Sequence, residues 1–255
     1  MEDNQFPREI SLCLSGGAVR GAYHLGVISV LEEHKVKINA ISATSIGALI
    51  GASLACGKKS NEILNVLKSP AFKKVFQLRL GKGYLFKIDM QAKVLDLLIN
   101  KMSFEDLAIP LEISVTDVDN ADILYINSGV KLREYILASC SITPLIKPVS
   151  IDNKLFIDGG LIDNFPVQRL KKYPYPIVGI NLYPYSKKRV SSIFGWIKKM
   201  FFIVWQSENL AKRDLCDLYV SSEALKNISS FNYRDLDKAY ELGREEMKSI
   251  LESKN

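Results

Sequence analysis

Two residues in this chain have the types and settings for nucleophilic catalysis: Ser45, at the join of an apolar strand and an apolar helix, and Asp158, at the end of a later apolar strand. Residues 38–57 read I-N-A-I-S-A-T-S-I-G-A-L-I-G-A-S-L-A-C-G. A serine between a buried strand and a helix, with small neighbours, has the shape of a nucleophile elbow. Ala43 lies two residues before it and Gly47 two after, so the turn has room to be tight. The hydroxyl is then pushed out at the start of a helix whose dipole favours negative charge. The usual elbow is G-x-S-x-G, and here it is A-T-S-I-G. A serine that only caps a buried helix gives the same local pattern.

A serine nucleophile needs a base. The two histidines, His24 and His34, both precede Ser45. A Ser-His-Asp triad in α/β-hydrolase order has its histidine last, so that arrangement is excluded. His24 falls within the first predicted helix and reads as a core or surface side chain, and His34 can help cap that helix. Asp158 is the remaining candidate, because it ends an apolar strand and is followed by two glycines in I-D-G-G-L-I-D-N-F-P. A carboxylate with a pKa near 4 is a poor base for a hydroxyl. Desolvation raises that pKa, so Asp158 is expected to be largely buried. An ordinary turn aspartate is the plainer alternative, and Asp152 and Asp163 fit it better.

A third feature is the loop G-G-A-V-R-G at 16–21, which follows a strand and opens a helix. Clustered glycines let backbone N–H groups approach a ligand, which suits a phosphate or an oxyanion. The spacing is neither G-x-G-x-x-G nor a P-loop. A tight strand-to-helix turn explains it equally well.

The elements that must position these residues follow from periodicity. Strands are expected at 9–15, 38–44, 111–116, 123–127, 177–182 and 217–220, with a hairpin of 149–151 and 155–157. Helices are expected at 22–34 (amphipathic), 46–56, 131–139 and 235–251. Gly57 is a helix stop. Residues 60–102 read as mostly helical, with a surface loop at 80–87 and Asp89 capping a helix that runs to Lys101. Strands alternating with helices, several of them apolar on both faces, predict an α/β/α sandwich with a mixed sheet buried on both sides.

The composition is compatible with this. At 255 residues and 47% hydrophobic content the chain fits one large domain with ample core. The four cysteines, Cys13, Cys56, Cys140 and Cys216, lack metal or redox spacing and read as buried thiols of a reducing compartment. The first ten residues have no apolar signal core, and no run of 18 apolar residues exists. A soluble, cytoplasmic protein is the default expectation. The net charge of +6 favours anionic partners, yet no nucleic-acid motif or basic stripe accompanies it.

Four segments in order resemble the patatin-like phospholipase family, and its compact bacterial members in particular: L-S-G-G-A-V-R-G-A-Y-H-L-G-V at 14–27, A-T-S-I-G at 43–47, A-S-C-S-I-T-P-L at 138–145 and D-G-G-L-I-D-N-F-P at 158–166. The likeness runs from about Ile10 to Leu251 and implies one domain over residues 1–255, with a three-layer α/β/α sandwich around a mostly parallel, mixed sheet. It implies a Ser-Asp dyad, with Ser45 as nucleophile, Asp158 as general base and an acyl-serine intermediate. It implies an oxyanion hole from the N–H groups of Gly16, Gly17 and Ala18, where Ala18 replaces the usual glycine. Arg20 matches the family's loop arginine and would stabilise the loop or a phosphate headgroup. No metal or other cofactor is expected.

The expected substrates are fatty-acyl esters of phospholipids or lysophospholipids. An acyltransferase, an esterase on neutral lipid or thioester, and a lipid-binding module that has lost turnover are the alternatives. The run K-K-R-V-S-S-I-F-G-W-I-K-K-M-F-F-I-V-W-Q at 187–206 reads either as a helix covering the acyl groove or as a peripheral membrane contact. Both hold if one face does each. Oligomeric state is not legible.

Overall fold

The computed structural model describes residues 6–79, 83–184 and 192–253. Its first strand, β1 (Glu9–Leu14), leads through α1 (Ala22–Glu33) to β2 (Lys37–Ala43), which lies parallel to β1. Ile10, Leu12 and Leu14 of β1 bury against one apolar cluster, while Cys13 between them joins a second cluster with Phe165, Val167 and Leu170. A strand apolar on both faces belongs inside a covered sheet. Next come α2 (Ile46–Ala55), α3 (Ser60–Lys68), α4 (Pro70–Lys73) and a small hairpin of β3 (Phe76–Leu78) and β4 (Phe86–Ile88). The chain continues through β5 (Leu111–Asp117), β6 (Asp122–Ile126), α5 (Leu132–Ser139), β7 (Val149–Ile151) and β8 (Lys154–Asp158). It ends with β9 (Ile177–Ile180), α6 (Ile193–Ala211), β10 (Leu218–Val220) and α7 (Leu236–Glu252).

Strands β10, β9, β1, β2 and β5 are parallel neighbours in that order, and β6, β7 and β8 join antiparallel. Helices α1, α2, α3 and α7 bury on one side of the sheet. The 3-10 helix Val167–Leu170 and the C-terminal end of α6 lie on the other. This is the expected α/β/α sandwich with a mixed, mostly parallel sheet.

One feature of the pairing places the site. Ile113 pairs with Ala43 of β2 and with Ile126 of β6, so β2 and β6 occupy opposite edges of β5. Val115 pairs with Asp158 of β8 and with Leu124 of β6, so β8 shares the edge that β2 occupies. Strands β2 and β8 therefore run toward each other along one edge of β5 and stop with Ala43 and Asp158 opposite positions 113 and 115. The end of each strand faces the end of the other.

Two local expectations fail. Helix α1 is not amphipathic, because Ala22 to Leu31 are all buried, between the sheet and α7. The stretch 60–102 is less helical than its apolar spacing suggests. Residues 76–78 and 86–88 pair as β3 and β4, and the Leu85 and Phe86 N–H groups donate to Leu145 O. Asp89 closes a turn by accepting from Gln91 N, and only a 3-10 helix, Lys93–Leu97, follows. Leu95, Leu98 and Ile99 still reach the core at helical spacing, so burial is satisfied without a full helix. Of the predicted loop 80–87, residues 80–82 lie outside the described residues.

Helices α1 and α7 touch backbone to backbone. A Cβ on Gly26 would stand 2.0 Å from the Tyr240 carbonyl oxygen, and one on Gly243 would stand 2.2 Å from that of Tyr23. Gly26→Val is expected to force the helices apart and lower stability by about 2–3 kcal/mol, read as an earlier urea unfolding midpoint.

Candidate active site

Ser45 sits between β2 and α2 with φ 56° and ψ −126°, a conformation that a side chain rarely adopts. Three contacts hold it there. Its N–H donates to Ser139 Oγ at 2.8 Å, and its carbonyl accepts from Ala48 and Leu49 at the start of α2. Gly47 lets the turn press on β1, since a Cβ there would lie 2.4 Å from Leu14 O. Ala43 is fully buried, so its methyl group fits within the turn.

The Ser45 hydroxyl donates to Asp158 Oδ2 at 2.6 Å, and Gly160 N–H donates to Asp158 Oδ1 at 2.7 Å. Asp158 is 6% exposed and Ser45 5%. Burial pushes the Asp158 carboxyl up to about 7, against the opposing pull of the bonds from Ser45 and Gly160. Gly159 permits the approach to β5, because a Cβ there would lie 2.4 Å from the Ser114 backbone. Neither histidine bonds to Ser45. His24 is fully buried, its Nε2–H donates to Ser15 O at 2.9 Å, and burial lowers its pKa to about 4, so it is neutral. His34 caps α1 through Nδ1–H to Val30 O.

The glycine loop is partly committed elsewhere. Gly16 N–H donates to Asn164 O at 3.3 Å, which removes it from the expected set of three donors. The N–H groups of Gly17 and Ala18 have no acceptor among the described residues. Ala18 takes φ 51°, the left-handed angle that its methyl group tolerates poorly. Arg20 is buried, with Nε donating to Ile228 O at 2.9 Å and a terminal nitrogen to Leu182 O at 3.2 Å. Tyr183 and Phe202 lie against its guanidinium. Of its two expected roles, this geometry supports loop support and not headgroup contact.

Two apolar cavities meet at the pair. One of about 310 Å³ is lined by Ser45 with Ile46, Leu49, Leu67, Phe72 and Leu236. Another of about 600 Å³ is lined by Asp158 with Ile157, Leu161, Tyr183, Phe202 and Trp205. Ala18 lines both. Both cavities fall within the size range of small-molecule sites and have the chemistry of a lipid chain. Among the described residues, no group of three His, Cys, Asp or Glu stands together as a metal site.

Helix α6 divides its faces. Phe202 and Trp205 point into the larger cavity, while Ile193, Trp196, Met200, Ile203 and Val204 are exposed at 49–74%. The start of the aromatic run, 187–191, lies outside the described residues, as does the Phe201 side chain. No helix among the described residues is long and apolar enough to cross a membrane.

Local patterns missed three groups. Ser139 sits inside A-S-C-S and carries no signal of its own. Asp163 does accept from Phe165 N–H two residues on at 3.0 Å, as a turn aspartate would, but it is also buried and paired with Lys212 at 2.7 Å, which nothing near it announces. Asn164 beside it supplies the carbonyl that holds Gly16.

The titration of Asp158 has a consequence for stability. Its folded pKa lies above the unfolded value, so the folded chain holds a proton between about pH 4 and 7 that the unfolded chain has released. Stability from this group falls as pH rises through that window. Asp158→Asn cannot ionise, and it is expected to gain on the wild type by on the order of 2–4 kcal/mol between pH 4 and 8, measured by thermal unfolding at each pH.

The sequence profile of patatin-like phospholipases matches residues 12–171. The lysophospholipase nte1 of Aspergillus fumigatus is 31% identical over 176 residues, covering 64% of this chain and 11% of that protein. The lysophospholipase NTE1 of Debaryomyces hansenii is 28% identical over 175 residues, with the same coverage. This chain thus spans about a tenth of the length of those relatives. VipD from Legionella pneumophila superposes with a TM-score of 0.56 at 14% identity, over 98% of this chain and 68% of that one, a likeness of fold alone. With a match that runs from β1 past the end of β8, the chain belongs to the patatin-like phospholipase family.

Proposed function

We propose that this chain is a serine acyl hydrolase acting on the fatty-acyl esters of phospholipids or lysophospholipids, with residues from about 10 to 251 working as one domain. The observation that carries the reading is the 2.6 Å bond from Ser45 Oγ to a buried Asp158 at the meeting of two apolar cavities. Relatives that are lysophospholipases support the substrate class.

In the proposed reaction Ser45 Oγ attacks the acyl carbonyl carbon and its proton passes to Asp158 Oδ2. The tetrahedral oxyanion is held by the N–H groups of Gly17 and Ala18, at the start of the loop that leads into α1. Collapse expels the alcohol, which takes the proton back from Asp158 and leaves an acyl-serine. Water then attacks that ester, giving its proton to Asp158, and Asp158 returns the proton to Ser45 Oγ as the fatty acid departs. A carboxyl with a pKa of about 7 suits both proton transfers at neutral pH.

The fatty-acyl chain occupies an apolar cavity, so it must leave a lipid phase to enter. The exposed face of α6 is the proposed contact with that phase, peripheral to the membrane, while its other face walls the cavity.

Release of fatty acid from lysophosphatidylcholine and phosphatidylcholine tests the reading. Ser45→Ala and Asp158→Asn, each checked for folding, are expected to lower kcat by about a thousandfold or more. In the wild type, kcat/KM is expected to rise with pH through an apparent pKa of about 7, since the base acts ionised. A folded wild type without activity on any ester would favour the lipid-binding alternative. Trp196→Ala is expected to weaken binding to anionic vesicles several-fold and to leave hydrolysis of a short soluble ester within about twofold. Equal losses in both assays would count against the membrane contact.

A further inference from the structure

The buried dipeptide Asp163–Asn164 reaches the nucleophile strand at Thr44 and is bonded to the glycine loop at Gly16 and to the base loop at Gly159. Its Asp163 carbonyl lies 3.0 Å from the hydroxyl of Thr44, the residue before Ser45, and 3.2 Å from that of Ser114 on β5. Those two hydroxyls bond each other at 2.6 Å, and the one that does not donate there donates to the carbonyl. The Asn164 carbonyl accepts from Gly16 N–H, and the Asn164 N–H donates to Glu208 Oε2, each at 3.3 Å. The Asn164 side chain fills the space that two glycines leave. A Cβ on Gly16 would stand 2.4 Å from its Oδ1, and one on Gly160 would stand 2.8 Å away. Nucleophile strand, glycine loop and base loop are thus fitted around one dipeptide.

The charged partners of the dipeptide come from the end of α6, while Phe165 N–H also donates to Asp163 Oδ1 at 3.0 Å. Lys212 Nζ, just past the helix, donates to Asp163 Oδ1 at 2.7 Å and to Glu208 Oε1 at 2.6 Å. Tyr125 and Gln168 donate to Asp163 Oδ2, each at 2.5 Å, but both are neutral. Lys212 is therefore the cation that compensates a buried carboxylate, and a buried charge without its partner is costly. Neither Lys212 nor Glu208 lines the two cavities.

We propose that Lys212 and Glu208 are positioning residues that, through Asp163 and Asn164, hold the glycine loop against Ser45 and so set the reactivity of the nucleophile. The helix that walls the larger cavity and the loop that receives the oxyanion then move together or not at all. This rests on Ser45 being the nucleophile of the proposed reaction.

A serine-reactive fluorophosphonate tests it without any lipid. The probe forms an Oγ–P bond and releases fluoride, and its rate depends on the hydroxyl, its base and the oxyanion donors. Lys212→Met is expected to lower the second-order labelling rate at least tenfold in protein that remains folded, and Lys212→Arg to stay within about threefold of wild type. Glu208→Gln, which keeps size and loses charge, is expected to fall about three- to tenfold. With a short soluble ester the losses are expected in kcat, with KM within twofold. Folded Lys212→Met and Glu208→Gln proteins that label at the wild-type rate would overturn the proposal. So would a loss shared equally between kcat and KM, the mark of a binding defect. Should Lys212→Met fail to fold, Glu208→Gln decides alone, and a rate within twofold of wild type overturns the clamp. A folded wild type that is never labelled fails the nucleophile reading itself, and the clamp falls with it.

Discussion

The site depends on two strands of opposite direction ending against each other on one edge of β5. Parallel pairing brings in β2 and antiparallel pairing brings in β8, and they stop on either side of Ser114. Side chains at strand ends are normally separated by the thickness of whatever connects them. Here no connection intervenes, so Ser45 and Asp158 meet at hydrogen-bond distance although they lie 113 residues apart in the chain. The small residues follow from that geometry. Gly159 is pressed on the Ser114 backbone and Gly47 on the Leu14 carbonyl, and a methyl group at either place would push one strand end away from the other.

Such closeness has energetic costs that the surrounding fold must offset. A carboxyl with a pKa near 7 resists ionisation in its folded setting. Ser45 and Ala18 hold left-handed backbone angles, each worth on the order of 1–3 kcal/mol. Helices α1 and α2 and the parallel strands supply the burial that overrides these costs. They can do so because the apolar face of β1 is continuous with the long α1–α7 interface. Three such groups, Ser45, Ala18 and Asp158, thus stand together at one end of the sheet.

Much of this was legible from local pattern. Alternation marked the strands, and the small residues around Ser45 and after Asp158 marked two turns where the chain bends sharply. What stayed hidden depends on partners remote in sequence. Helix α1 reads as amphipathic because nothing near it announces α7, more than 200 residues later, as the cover for its outer face. Asp163 reads as a turn residue because Lys212 lies 49 residues further on. The Gly16 N–H counts as free until Asn164 is placed beside it. The β3–β4 pairing escaped for the same reason, since the N–H groups of Leu85 and Phe86 are satisfied by Leu145. Motifs report the geometry of their own few residues, and ion pairs and sheet edges report only when the chain has closed.

The order in which the strands leave the ribosome gives the end-to-end meeting of β2 and β8 another consequence. Ser45 emerges before Asp158, with β1 and α1 ahead of it in the chain. The aspartate that it faces arrives 113 residues later, and the lysine steadying the neighbouring dipeptide comes later still. Over that interval a nascent chain therefore carries Ser45 without the carboxylate that it bonds in the finished fold. The hydroxyl gains its hydrogen-bond partner only when β8 has run back along β5 to meet the end of β2.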